Sequence, residues 1–463
     1  MSHPFAAIQQ LWTSLKTSNS FVQNSAFMLS ASLSGIIIQL IFSPILSRIY
    51  SPDVYGLFSI FNSMAVVAGV FATLGYNRAF VLPREDSIFR ALLRFGIRAT
   101  WITGFLVLLI TLIFGNTINS TFGSEDMGLW IWLLGPAIVL LSFDRMALDW
   151  SIRVKSFKKQ SLISVPITLA TKSFNALYGW LISSTVEGLI FTTMLHYLVR
   201  IVVYVLRIIP GATAFLRNAP NAEVRKVARE EYREYPRYIM WGNAIHTFSN
   251  YLPILVMPLL LDSSRPAGLL VYAGLILDLP ARLMNSAISP VFLQKATETH
   301  HRNPEELGAL TRRLYWNLLF ISAVPLLILF VVGAPLYGWV FGAEWTEAGA
   351  AAEILSVYFL YRLIGSPISS IFNVLRKEKQ AFGFQIVLFL FKLAALIVGG
   401  LYTDDFLELV VVFSIANGLT YALLIGWVFA LLRQPVVRIL LISIAVQGAL
   451  LTGAYYLKLA LFA

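Results

Sequence analysis

The chain has no cysteine in its 463 residues, so it can form neither a disulfide framework nor a thiolate metal site. Histidine is scarce, and the five present share no ligand spacing, which removes the usual imidazole metal centres as well. Neither a Walker A loop nor a dinucleotide glycine fingerprint occurs, so the sequence carries no ATP-driven engine of its own. Charge is thin too. Asp, Glu, Lys and Arg supply 13% of the residues, about half the ~25% of an ordinary soluble domain.

Apolar residues fill the gap. They make up 58% of the chain with a mean hydropathy of +0.74, outside the range of a soluble globular protein of this length. The composition predicts an all-α polytopic membrane protein. Runs long enough to cross as helices fall at 24–46, 57–82, 93–115, 127–149, 161–184, 188–209, 238–261, 267–291, 314–336, 350–374, 381–402, 407–432 and 437–459, which gives 12 transmembrane helices and a thirteenth run at the C-terminus. Phe5, Ile8, Leu11, Trp12 and Leu15 recur at helical spacing over residues 1–20 without a signal-peptide core, the pattern of an interfacial helix.

Alternate loops collect the basic residues: Arg84 to Arg98, Arg153 to Lys159, Arg217 to Arg237, Lys295 to Arg313 and Arg376 to Lys379. The positive-inside rule then sets the N-terminus in the cytoplasm and explains the net charge of +11 by topology and contact with anionic headgroups, not by nucleic acid. The opposite loops carry acids and aromatics, among them Tyr337, Trp339, Phe341, Glu344, Trp345, Glu347, Asp404 and Asp405. Interfacial belts account for those aromatics.

Two lysines organise the chain. Lys172 and Lys392 lie deep in apolar runs, 220 positions apart, and each follows a Lys-Gln pair, Lys159-Gln160 and Lys379-Gln380, with the same offset. Each is twelve residues past its Gln, or about 18 Å of helix, near the middle of a hydrocarbon layer about 30 Å thick. Six runs separate them, so the halves run in the same sense, a parallel repeat. Gly56-Leu57 with Gly268-Leu269, and Phe122-Gly123 with Phe341-Gly342, support it. The expected organisation is an interfacial helix over 1–20, a six-helix lobe over 21–209, a linker over 210–237 with Val224, Val227 and Tyr232 on one helical face, a six-helix lobe over 238–433 and an additional helix over 434–463.

Other polar residues inside the runs have a cationic balance: Arg78, Arg145, Arg200, Arg282 and Arg362 against Asp144 and Asp278. Shifted by 220, Arg362 falls near residue 142, one turn from Arg145, so both halves are expected to point an arginine inward. Lys172, Lys392, Arg362, Arg145, Arg78 and Arg200 are the candidates for lining a substrate cavity, and Asp278 and Asp144 the candidates for ion coupling. Snorkelling is the plain alternative for Arg78, Arg200 and Arg282, and an i,i+4 ion pair for Asp278 with Arg282. A cation-lined lumen between parallel bundles suits an anionic passenger such as a diphosphate.

The stretch from Asn24 to Asp86, with Arg48-Ile49-Tyr50-Ser51-Pro52, Tyr55-Gly56 and Val81-Leu82-Pro83, resembles the start of the Wzx-type polysaccharide (O-antigen or exopolysaccharide) flippases. These belong to the superfamily of multidrug and toxic-compound exporters that also contains the lipid II flippase. Residues 234–257 and 268–296 look like the opening of that family's second half. The resemblance implies two six-helix bundles around a central cavity and transfer of a polyprenyl-diphosphate-linked glycan from the cytoplasmic to the outer leaflet of a bacterial inner membrane. It also implies coupling to a proton or sodium gradient, no cofactor, and glycan polymerase or glycosyltransferase partners. Many relatives carry an acid where this chain has Asn77-Arg78, so no coupling residue transfers there. A lipid II flippase of the same fold is an alternative of closely similar chemistry, whereas a multidrug cation antiporter would prefer an acidic cavity. A membrane glycan polymerase or ligase would need positioned acids on long outer loops, and only Asp404-Asp405 hints at one.

Overall fold

A computed structural model describes residues 20–122, 125–209 and 211–462, without the side chains of 20–32, 125, 126, 283 and 285–287. The N-terminal interfacial helix lies outside the described residues. Every one of the thirteen apolar runs is a helix: α1 Ser20–Ser47, α2 Pro52–Ala72, α3 Asp86–Thr121, α4 Leu134–Arg153, α5 Phe157–Leu181 and α6 Val186–Val203 come first. Two short helices follow, α7 Ala212–Arg217 and α8 Ala222–Glu231, and then α9 Met240–Leu261, α10 Arg265–Arg302, α11 Glu306–Phe341 and α12 Thr346–Ile368. The four-residue α13 Ile371–Val374 precedes α14 Glu378–Tyr402, α15 Phe406–Leu431 and α16 Val436–Phe462. Ten of the described helices are long and apolar enough to cross a membrane. Their apolar residues remain on the outside as well as the inside: Trp101, Ile102, Phe105 and Ile113 on α3, and Ile321, Val324 and Ile328 on α11, are all exposed. Such a surface is stable only in lipid, where the helices satisfy their own backbone. The protein is a multi-pass membrane protein.

Local chemistry sets the helix ends. Pro52 and Asp53 open α2 after Ser51, whose hydroxyl accepts the Val54 N–H at 3.4 Å, and an acid in the first turn suits the helix dipole. Leu74 and Gly75 then take left-handed backbone (φ 51° and 74°), which stops the helix. The expected 57–82 run therefore ends early, and Arg78 sits exposed on a separate 3-10 turn, Tyr76–Ala79, outside the helix. Asp405 caps α15, its carboxylate accepting the Glu408 N–H at 2.9 Å; a helix start accounts for that acid.

The chain divides into two compact units, 1–50 with 64–117 and 127–244, and 51–63 with 118–126 and 245–463. Within the first, α3 crosses α4 where a Cβ on Gly135 would stand 2.6 Å from the Gly104 carbonyl oxygen. Within the second, α11 crosses α12 where a Cβ on Gly349 would stand 2.4 Å from the Gly333 carbonyl oxygen. Each is the close, small-residue approach by which membrane helices associate. The residues read as a linker belong to the first unit's core: Phe215 of α7 packs on Phe89 and Trp150, and Val224 and Tyr232 join the same cluster, while Val227 is exposed.

The second unit's core absorbs residues expected in an interfacial belt. Trp345, Tyr337 and Phe341 are fully buried, and Tyr272 stacks on Trp345 at 3.8 Å between ring centroids; Trp339 alone of that group is exposed. The C-terminal α16 packs on α11, joined by Tyr315 to Ser443, and on α15, and its Lys458 reaches the buried Glu353 of α12. Glu353 also accepts the Ala334 N–H at 2.8 Å. Neither charge attracted notice in the sequence. Lys458→Met is expected to lower the melting temperature in detergent, and Lys458→Met with Glu353→Gln to recover part of the loss, because a lone buried carboxylate costs more than a neutral one. A double variant no more stable than the single one would show that the pair is not what holds α16.

Candidate functional site

The polar residues inside each unit form distinct arrangements. In the first, one face of α6 presents His196 and Arg200, and Tyr204 follows in register just beyond its end, at i, i+4 and i+8, so all three fall on one stripe. Each finds a partner on a neighbouring helix. Thr171 of α5 bonds His196 Nδ1 at 3.0 Å, Ser164 of α5 bonds the Tyr204 hydroxyl at 2.7 Å, and Asp144 of α4 takes both Nε and Nη2 of Arg200. Asp144 is almost wholly buried, and the bidentate fork supplies the charge-assisted bonds that a buried carboxylate needs. One turn further along α4, Asp149 accepts the Asn77 amide at 2.7 Å, while Arg145 is half-buried and makes no ion pair among the described residues. His196, Tyr204 and Asp149 were missed by sequence reasoning; the four-residue spacing on α6 was the available signal.

Lys172 of α5 is half-buried, and no hydrogen-bond or ion-pair partner is found for it among the described residues. One turn on, Asn175 is buried and accepts the Tyr50 hydroxyl at both its main-chain and side-chain oxygens, at 3.1 and 3.2 Å.

In the second unit Asp278 of α10 reaches across to Arg362 of α12 at 3.1 Å. It does not pair along its own helix with Arg282, which is exposed; the i,i+4 pair is thus corrected to an interhelical one. The Arg362 guanidinium also lies 4.7 Å over the Phe359 ring, a cation–π contact. On the fourth helix of each half, the residue in the interhelical ion pair is the acid Asp144 on α4 and the base Arg362 on α12, with partners on different helices.

Lys392 of α14 is buried, and its ammonium donates to the Ser249 carbonyl of α9 at 3.2 Å. Among the described residues no carboxylate pairs with it. Beside it is a cavity of about 350 Å³ lined from α9 by His246, Ser249 and Asn250, from α12 and α13 by Ser366, Ser369, Ser370 and Asn373, and from α14 and α15 by Phe384, Gln385 and Tyr421. That volume falls in the range of small-molecule sites, roughly 300–1,000 Å³. Of the six candidate cations, Arg200 and Arg362 are thus neutralised by the two candidate coupling acids, and Lys392 is left as a buried charge whose one partner among the described residues is a backbone carbonyl.

Residues 45–350 match the family described as Polysaccharide biosynthesis protein. Among curated proteins, none matches the chain. Solved structures do. A multidrug resistance MATE family transporter of the MOP superfamily, in an inward-facing conformation, aligns with a TM-score of 0.67 at 13% identity over 88% of this chain and 99% of its own. A mutant of the Vibrio cholerae MATE transporter VcmN aligns at 0.55 and 14% over 92% and 99%. A MOP superfamily transporter from Pyrococcus furiosus, described by its reversed binding-pocket polarity, aligns at 0.53 and 13% over 90% and 96%. At such identities these likenesses speak of the fold, and they agree with the all-α polytopic architecture and the superfamily expected from the sequence.

Proposed function

We propose a cargo and a direction for this chain, which belongs to the polysaccharide biosynthesis protein family and has the fold of the MOP superfamily transporters: it flips a polyprenyl-diphosphate-linked oligosaccharide from the cytoplasmic to the outer leaflet of a bacterial inner membrane by alternating access. The observation that carries this reading is Lys392. It is a mid-helix ammonium without a carboxylate partner among the described residues, held beside a polar cavity, and such a charge is costly unless it meets an anion. Lys172, at the matched position of the repeat, is assigned the same task for the diphosphate. By contrast the mid-helix acids Asp144, Asp278 and Glu353 are each held by a cation, which disfavours a multidrug antiporter for cations. The binding pocket of reversed polarity described for the Pyrococcus furiosus transporter, with the different function it suggests there, is in keeping with this reading. Asp144 and Asp278 belong to the proposal as the sites where a proton or sodium ion would compete with Arg200 and Arg362, and enzymes that assemble the glycan are its expected partners.

Reconstitution in liposomes with a fluorescent polyprenyl-diphosphate oligosaccharide tests the reading. Lys392→Ala is expected to slow flipping by about 10- to 100-fold, the equivalent of one lost bond to a charged group, and the Lys172→Ala, Lys392→Ala double variant further still. Undiminished flipping in the double variant would remove the lysines from the mechanism. Efflux of organic cations with no lipid translocation would favour drug export.

A further inference from the structure

The cavity beside Lys392 differs in chemistry from the lysine itself. None of its lining residues is Asp, Glu, Lys or Arg; the polar wall is hydroxyls and amides, among them Ser249, Asn250, Asn373 and Gln385, with the His246 imidazole, whose Nε2 lies 3.1 Å from the Asn250 amide. Against them stand three aromatic rings, Phe372, Phe384 and Tyr421, the last two with centroids 6.5 Å apart. One group in this wall is unexplained by the protein alone. The Ser249 hydroxyl is buried, with 4% of the residue exposed, and has no hydrogen-bond partner. A buried serine on a helix commonly returns its hydroxyl to the preceding turn, as Ser151 does to Leu148 at 2.7 Å and Ser356 to Glu353 at 2.6 Å, so an unsatisfied one beside a cavity needs a reason. Ser249 also has two roles: its carbonyl holds the Lys392 ammonium, and the residue is part of the cavity lining.

We propose that this cavity is a neutral, hydroxyl-reading subsite that takes the sugar residue next to the diphosphate of the lipid-linked glycan. The proposal rests on the transport reading above and adds where, and by what chemistry, the glycan is recognised. A pyranose presents a ring of hydroxyls that both donate and accept, which suits serine hydroxyls and the carboxamides of Asn and Gln, and a less polar face that suits an aromatic wall. The absence of fixed charge in the lining favours an uncharged sugar over a carboxylated one, since a sugar acid would be desolvated there without a counter-charge. One residue, Ser249, joins the two recognition elements, which places the sugar subsite next to the lysine assigned to the diphosphate.

The test compares binding of two probes to the full-length protein in detergent: polyprenyl diphosphate, and the same lipid carrying one neutral hexose. Wild type is expected to prefer the hexose-bearing lipid by about 10-fold or more, as a site built on hydrogen bonds to hydroxyls discriminates against ligands that lack them. Ser249→Ala and Gln385→Leu are each expected to remove about 3- to 10-fold of that preference, the worth of one neutral hydrogen bond. Affinity for the bare diphosphate is expected to stay constant in Gln385→Leu, a residue of the cavity wall that makes no bond to Lys392. Ser249→Ala separates recognition from structure: deleting an unpartnered buried hydroxyl leaves the melting temperature unchanged or raised, so a drop in sugar preference cannot be a folding defect. No preference in wild type, or variants that weaken both lipids equally, would overturn the subsite while leaving diphosphate binding intact. Failure of wild type to bind or move either lipid would overturn the transport reading, and the subsite with it.

Discussion

Gly268→Leu is expected to be the most disruptive single substitution in the second unit, lowering the melting temperature in detergent by more than about 5 °C, since forcing side-chain atoms into a close-packed crossing costs at least about 1–3 kcal/mol. At this point α10 crosses the first turns of α2. A Cβ on Gly268 would lie 2.1 Å from the Pro52 carbonyl oxygen and 2.9 Å from the Gly56 nitrogen, and one on Gly56 would lie 1.9 Å from the Ser264 carbonyl oxygen. These are backbone atoms, which no rotamer change can move aside, so the helices must part. Parting them breaks everything organised around the crossing. Arg265 bridges Asp53 at 3.2 Å and Glu347 at 3.3 Å, the Ser264 hydroxyl donates to the Asp53 carbonyl at 3.3 Å, and Tyr55 meets the Tyr272 ring edge-on at 5.0 Å. Gly453→Ala is the matched control, because a Cβ there meets nothing within 4 Å and alanine favours a helix over glycine by about 1 kcal/mol. Wild-type melting and flipping in Gly268→Leu would contradict the crossing itself.

That crossing was half legible. The pairing of Gly56-Leu57 with Gly268-Leu269 as repeat positions came from the sequence, but nothing local said that the two glycines meet. The thirteen apolar runs were legible because hydropathy is a property of each segment by itself, and all thirteen are helices. Their ends were less so: Arg78 was assigned to a run that stops at Ala72, because the left-handed backbone at Leu74 depends on the turn and not on the residue's own preference. The ion pairs were the least legible. Asp144 finds Arg200 and Asp278 finds Arg362 on separate helices, and Glu353 finds Lys458 more than a hundred positions away. Periodicity on one helix tells which face is polar and is silent about which neighbour faces it. The count of candidate cations therefore overstated the free charge: Arg200 and Arg362 are neutralised, whereas the two matched lysines, the strongest pattern in the sequence, make no ion pair among the described residues, and neither does Arg145.

Arg200→Ala is expected to destabilise the first unit by about 3–5 kcal/mol, the typical penalty for leaving one member of a buried pair alone. Asp144 is 2% exposed and draws both of its charge-assisted bonds from Arg200, so it would remain as an uncompensated carboxylate. Asp144→Asn is expected to cost less, since Arg200 keeps 19% exposure and its long side chain can carry the charge toward polar surroundings. The Asp278–Arg362 pair, about a third exposed on both sides, should show the same order with smaller losses, because solvent screens what the partner no longer neutralises. Replacing both members, as Asp144→Leu with Arg200→Leu, is expected to restore most of the melting temperature. That double variant also decides what the pair is for. If the pair only neutralises two buried charges, flipping in liposomes returns along with stability. If Asp144 exchanges Arg200 for a proton or sodium ion during the cycle, stability returns while gradient-dependent flipping stays lost, because an apolar pair has no charge left to exchange.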